Sequence, residues 1–161
     1  MKAAYLGIDV GSISTNLALI NEAGELLYKK YLLTHGQPVR IMQNGLKELA
    51  REIDGAMTIT GLGTTGSGRY LAGILTGADV IKNEITAHAV AVLHYEPSTQ
   101  TIIEIGGQDS KNIILRNGTV IDFAVNTVCA AGTGSFLDQQ AHRLGSPLKP
   151  LVTMHSRPRS R

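Results

Sequence analysis

The chain has 161 residues, 43% hydrophobic and 17% charged, which excludes compositional disorder and allows one core, or one domain and part of another. Trp is absent and aromatics make up 4%, arguing against a stacking platform for single-stranded nucleic acid; a formal charge of +2, much of it from Lys149, Arg157, Arg159 and Arg161, is too small to imply a nucleic-acid partner. No apolar run approaches the ~20 residues of a membrane span, and MKAAYLGIDV leads into a strand-like segment rather than a signal peptide, so the expectation is a cytoplasmic protein with no membrane partner.

Residues 4–10 are apolar and end at Gly11, which predicts a buried strand. Residues 17–20 and 26–33 flank Asn21-Glu22-Ala23-Gly24, predicting a hairpin. Val39, Met42, Leu46, Leu49 and Ile53 recur at spacings of three and four, the inner stripe of an amphipathic helix. Residues 57–62 predict another strand, followed by a glycine-rich turn in GLGTTGSGRY and a helix through Leu75. Residues 79–81 predict a short strand and residues 85–94 a second helix. The order β-β-β-α-β-α is that of a ribonuclease-H-like α/β half-domain.

An internal echo extends this assignment. Residues 8–15, IDVGSIST, align with residues 103–110, IEIGGQDS, at a constant offset of 95, and each copy continues into a second strand and a hairpin turn. The second turn, Arg116-Asn117-Gly118, carries the Asn-Gly hairpin signal. The reading is a duplicated fold: a complete first half over residues 1–97, a partial second half over 98–148 with a helix at 134–144, and a basic irregular tail over 149–161. The tail shows no apolar period, which fits a disordered end or, as favoured here, a truncated or out-of-frame product.

Each repeated loop places an acid at a strand end before a glycine turn. In the first, Asp9 can hold magnesium through water, while Gly11, Ser12, Ser14 and Thr15 can cradle phosphate oxygens. In the second, Glu104 and the turn Gly106-Gly107 repeat the pattern, with Gln108 and Asp109 placed to orient an attacking water or Mg2+. Two such loops facing one another would grip a triphosphate from both sides. Neither matches the Walker or dinucleotide fingerprints, which disfavours those folds. Cys129 is the one cysteine, so an intrachain disulfide is excluded; it is either a buried thiol or a ligand whose partners lie elsewhere.

The segments DVGSISTN, EIGGQDSK, GTTGSGRYL, NEITAHA and VCAAGTGSFL, in this order and spacing, resemble the BadF/BadG/BcrA/BcrD-type ATPases over roughly residues 4–148. That family lies within the acetate and sugar kinase, Hsp70 and actin superfamily, and the similarity is strongest to its activators of 2-hydroxyacyl-CoA dehydratases. The resemblance implies a homodimer that binds ATP/ADP with Mg2+ and shares one [4Fe–4S] cluster between subunits. It also implies delivery of low-potential electrons, received from a donor such as ferredoxin or flavodoxin, to an acyl-CoA dehydratase or benzoyl-CoA-type reductase. Cys129 matches the first of two cluster cysteines per subunit, and Gly132, Thr133 and Gly134 join the cofactor-contacting positions. The family's second cysteine and much of the adenosine pocket have no counterpart in this sequence, and Glu104 stands where many superfamily members carry Asp.

Two other readings compete. A sugar or amino-sugar kinase of the same superfamily would use Asp109 as a base towards a hydroxyl, without needing Cys129. An inactive fragment would serve only as an interaction module. Thr64, Thr65, Ser67 and Arg69 form either a functional loop or merely a glycine-rich connection. Glu84 and His88 share a helix face as a surface or core pair, since two ligands alone rarely hold a metal. His35, His94, His142 and His155 are read as solvated.

Overall fold

Ala4, Leu6, Ile8 and Val10 alternate along the first strand and are all buried, the period expected when one face of a strand lies on a core. The computed structural model describes residues 2–145. Its first part comprises β1 (Lys2–Val10), β2 (Ser14–Ile20), β3 (Leu26–Leu33), α1 (Pro38–Ile53), β4 (Met57–Thr65), α2 (Arg69–Thr76) and β5 (Val80–Ile81). These strands form a mixed sheet in the order β3-β2-β1-β4-β5, antiparallel through β3, β2 and β1 and parallel through β1, β4 and β5. The mixed α/β architecture is the one the strand and helix order predicts.

Leu17 and Leu19 of β2, Met42 and Leu49 of α1 and Ala72 of α2 complete the first core. Of the predicted helical stripe, Met42 and Leu49 are buried and Leu46 and Ile53 pack against the same cluster. Pro38 opens α1 at a position where a missing N–H costs nothing. Gly45 lies on the same inner face: a Cβ there would come within 2.8 Å of both Leu17 Cδ1 and Leu32 Cδ1, so this glycine lets α1 sit directly on the sheet.

β4 runs three residues beyond its predicted end. Pairing with β1 continues through Gly61 and Gly63 to Thr65, opposite Asp9. A Cβ on Gly61 would stand 2.9 Å from Tyr5 Cδ1, so that glycine makes room for a cross-strand ring and not for a turn. The turn is confined to residues 66–68.

The second part contains α3 (Glu84–Tyr95), β6 (Thr101–Ile105), β7 (Ser110–Arg116), β8 (Thr119–Val125) and α4 (Gly134–Arg143). Its strands form an antiparallel sheet in the order β6-β7-β8. Asn117 and Gly118 both take positive φ between β7 and β8, as an Asn-Gly hairpin requires. Ile102, Ile113 and Leu115 form a second core together with Ile85 and Ala89 of α3. The chain crosses between the cores at residues 82–84: Lys82 N–H donates to Thr64 O, and the Asn83 side chain then caps α3 by accepting from Thr86 N–H. Among the described residues no helix is long and apolar enough to cross a membrane. The predicted basic tail at 149–161, including His155, and the last residues of the predicted second half lie outside the described residues, as does position 1.

Candidate functional site

The two repeated loops have the same construction. In each, a glycine N–H closes the turn onto the carbonyl three residues on: Gly11 to Ser14 O at 2.8 Å, and Gly106 to Asp109 O at 2.9 Å. In each, the acid ending the strand faces a polar residue across the hairpin, Asp9 opposite Asn16 and Glu104 opposite Lys111. That residue spans the loop. Asn16 Nδ2 donates to Asp9 Oδ2 (3.1 Å) and Ser14 Oγ (3.2 Å), and Lys111 Nζ donates to Glu104 Oε2 (3.0 Å) and Asp109 Oδ1 (2.9 Å). Asn16 and Lys111 are separated by the same 95 residues as the loops.

The loops meet. A Cβ on Gly107 would lie 2.5 Å from Ile13 Cγ1, so the second turn packs by its bare backbone against the tip of the first. Behind the first loop, Thr34 N–H donates to Ile13 O (2.7 Å) and its hydroxyl to Gly11 O (3.1 Å). Behind the second stands the cysteine segment. Ala130 N–H donates to Gln108 O (2.7 Å), Gly134 N–H to Gly106 O (2.9 Å), Ser135 N–H to Gly107 O (2.9 Å) and Thr133 Oγ1 to Gly107 O (2.8 Å). Residues 129–135 are therefore an extension of the second loop. Ala130 and Gly132 take positive φ on the way from Cys129 into α4, which lets this short segment fold back on residues 106–108.

The electrostatics of the two acids differ. Burial pushes the Asp9 carboxyl above its ordinary range; the Asn16 hydrogen bond and the charges of His88 and Lys111 pull the other way without overcoming it, and Glu84 adds to the rise. Burial disfavours the Lys111 ammonium, whose side chain is 7% exposed, but its hydrogen bonds to Asp109 and Glu104 outweigh that and hold its pKa above the usual lysine value.

Of the sequence-predicted residues, Asp9, Gly11, Ser12, Ser14, Glu104, Gly106, Gly107, Gln108 and Asp109 all belong to the paired turns, with Ser12 and Gln108 exposed. Thr15 stands apart: its hydroxyl is fully buried beside Thr34 Oγ1 at 3.1 Å, where it ties the loop to the end of β3. Thr133 is likewise fully buried and committed to Gly107 O, while Gly132 lies between Cys129 and α4. Cys129 is exposed, which removes the buried-thiol alternative. Thr64 is buried and donates to Arg69 O. His35, His94 and His142 are exposed.

Three residues outside the predicted set shape the site: Asn16, Thr34 and Lys111. Asn16 and Lys111 could have been found from the hairpin register, because the residue facing each acid follows once the two-strand pairing is drawn; Thr34 has no comparable sequence signal.

Residues 6–151 match the BadF/BadG/BcrA/BcrD ATPase family. The chain is 36% identical, over 160 residues, to the (R)-2-hydroxyglutaryl-CoA dehydratase activating ATPase of Acidaminococcus fermentans, covering 96% of this chain and 58% of that protein. It superposes on the crystal structure of the Acidaminococcus fermentans (R)-2-hydroxyglutaryl-CoA dehydratase component A with a TM-score of 0.82 and 32% identity, over 99% of this chain and 61% of that one. For the activator of the 2-hydroxyisocaproyl-CoA dehydratase from Clostridium difficile with bound ADPNP, the TM-score is 0.76 and the identity 31%, over 98% of this chain and 59% of that one. The chain thus spans about three fifths of the length of these relatives. With paired turns, mixed sheet and cysteine loop in one arrangement, and a family match along nearly the whole sequence, this chain belongs to the BadF/BadG/BcrA/BcrD ATPase family.

Proposed function

We propose that residues 9–16 and 104–111 form the phosphate-facing side of an ATP site in an activator that hydrolyses ATP and delivers low-potential electrons to a 2-hydroxyacyl-CoA dehydratase or a benzoyl-CoA-type reductase. The observation that carries this reading is the packing of Gly107 on Ile13, which sets two glycine turns, each led by an acid, against one another. Duplication of one hairpin design accounts for the shared hydrogen bonding. The solved relative with bound ADPNP supports a nucleotide as ligand.

The donors present suit magnesium bound in the manner of an ATPase. Among the described residues no three His, Cys, Asp or Glu side chains cluster to hold a metal. Asp9 is a carboxylate that accepts its side-chain hydrogen bond from the neutral amide of Asn16. Such a group suits a cation that keeps most of its water and takes its other ligands from phosphate. Gly11, Ser12 and Ser14 would face the phosphates from one side and Gly106 and Gly107 from the other. Gln108 would orient the attacking water. Asp109, 48% exposed, would act beside it while anchored to Lys111.

For the iron–sulfur cluster, the chain supplies one thiol where a [4Fe–4S] cluster takes four. Cys129 is exposed and lies four residues before Thr133, the N-cap of α4. It therefore suits one corner of a cluster shared across a homodimer. When bound, the cluster would supply one-electron transfer from a donor such as ferredoxin or flavodoxin. The chain's own contribution is mechanical: residues 130–135 hang on the carbonyls of 106–108, so any movement of the second phosphate turn is passed to Cys129.

Anaerobic reconstitution of the full-length protein with iron and sulfide tests the reading. Cys129→Ala is expected to abolish the visible cluster absorbance while ATP binding persists. An unchanged cluster in the variant removes Cys129 from this role. Phosphate transfer to a sugar hydroxyl in place of hydrolysis would favour the kinase reading.

A further inference from the structure

The carboxylate of Asp9 is held on two sides, and only one of them is the hairpin. Asn16 takes Oδ2 (3.1 Å). Against Oδ1 lies the backbone of Gly66, so close that a Cβ there would stand 2.3 Å from the oxygen. The position of Asp9 therefore depends on where the turn at residues 66–68 sits.

That turn is held from two sides. Towards the first sheet, Gly68 N–H donates to Val10 O (2.8 Å). On its other side is Arg69, whose backbone N–H (3.2 Å) and Nη1 (2.9 Å) both donate to Gly66 O; Nη1 also reaches Glu84 Oε2 at 3.5 Å, and the guanidinium lies 4.9 Å from the Tyr70 ring centre. Glu84 is the first residue of α3, the helix that buries Ile85 and Ala89 in the second core. Of the ion pairs among the described residues, Lys30–Glu48 lies within the first part and those of Lys111 within the second. Arg69–Glu84 links α2, packed in the first core, to α3, packed in the second.

We propose that Arg69 is a positioning residue for Asp9: it fixes the Gly66 carbonyl, and through Glu84 it makes the placement of the Asp9 carboxylate respond to the position of α3 and the second core. The inference rests on the ATP reading, because it concerns the carboxylate assigned there to magnesium. Both contacts are made by Nη1, which the planar guanidinium stacked at Tyr70 holds in a fixed direction, whereas an ammonium on a flexible stem has no such plane. The pair is about one quarter to one third exposed, so its value lies in geometry more than in stability.

The test is ATP affinity of the full-length protein, measured by titration with Mg2+ and again with EDTA, for the unsubstituted protein, Arg69→Ala, Arg69→Lys, Glu84→Gln and the reversed pair Arg69→Glu/Glu84→Arg. Arg69→Ala is expected to weaken binding about fivefold or more with Mg2+ and less than about twofold without it, the range of a coupling between sites. Arg69→Lys and Glu84→Gln should fall between. The reversed pair should bind more weakly than the unsubstituted protein, since a carboxylate side chain at position 69 leaves Gly66 O only the backbone N–H of that residue. Unchanged far-UV circular dichroism shows that the variants fold. Equal losses with and without Mg2+, or no loss, overturn the role of Arg69 while leaving the ATP site standing. Absence of ATP binding by the unsubstituted protein under both conditions overturns the ATP reading and this inference together.

Discussion

The hairpin at residues 9–16 and the hairpin at residues 104–111 have the same backbone and opposite chemistry at one position. Asn16 and Lys111 each span their loop from the acid on the first strand to the last turn residue. An amide does this without charge, so the carboxylate of Asp9 carries no directly bonded cation. An ammonium does it with charge, so Glu104 and Asp109 are both ion-paired. Burial accordingly raises the pKa of Asp9, whereas the charged hydrogen bonds in the second hairpin prevail over the burial of Lys111. Geometry is kept and electrostatics divided: the first loop holds its carboxylate without an internal cation, and the second uses an internal cation to fix its shape. Glu104, one methylene longer than Asp, has the reach to meet the Lys111 ammonium.

The sharpest way to break this contrast is to remove the internal cation. Lys111→Met leaves Glu104 and Asp109 without their partner; loss of one member of a buried pair costs about 3–5 kcal/mol, and since Asp109 is half exposed the expected loss here is about 3 kcal/mol. At about 2–4 °C per kcal/mol for a chain of this size, the melting temperature should fall by about 6–12 °C. Asn16→Ala, losing neutral hydrogen bonds, should cost about 1 kcal/mol. Equal losses in thermal denaturation would mean the two residues do the same work.

Gly107→Ala addresses the contact that makes the loops one site. The added methyl meets Ile13 at 2.5 Å, and overpacking of this kind costs about 1–3 kcal/mol. Ile13→Ala in the same chain should recover most of that loss, giving a coupling energy of about 1 kcal/mol or more in a double-mutant cycle. Strict additivity would show that the loops do not touch in solution. Smaller again is the effect of making the first hairpin resemble the second. Asn16→Lys gives Asp9 an internal cation, and the Mg2+-dependent part of ATP affinity should drop about tenfold, ~1.4 kcal/mol. Undiminished Mg2+ dependence would take the metal away from Asp9.

The sequence made the repeated turns legible because glycine and acid recur at fixed spacing, and backbone hydrogen bonding follows from that spacing. It made the α1 stripe legible because Met42, Leu46, Leu49 and Ile53 keep a helical period. What it hid depends on contacts distant in the chain. Gly61 and Gly63 read as a turn, yet pairing with β1 keeps both in a strand, and at Gly61 the missing side chain makes room for the Tyr5 ring. Thr15 read as a phosphate ligand, yet its place opposite Val10 turns the side chain towards Thr34. Arg69 read as either a functional-loop residue or part of a connection, since its link to Glu84 exists only once α3 has been carried to the second core.

The smallest effect, and the most direct check on the unpaired state of Asp9, is in pH. The folded chain raises the pKa of this carboxyl above its ordinary 3.8, so the fold favours the protonated form. Its favourable contribution is complete below the unfolded value and is lost as pH rises through the folded value; at neutral pH the ionised group is a cost. Asp9→Asn keeps an acceptor for Asn16 and removes the charge. The variant should therefore melt above the unsubstituted protein at pH 7, with the difference shrinking as pH falls and closing below about 3.8. Lys111 gives no such signature in that window, because its raised pKa places the loss of its contribution above 10.5. A variant less stable than its parent at pH 7 would show that Asp9 is already compensated within the chain. A more stable one would show a charge retained at the expense of the fold, which is what a site awaiting a cation requires.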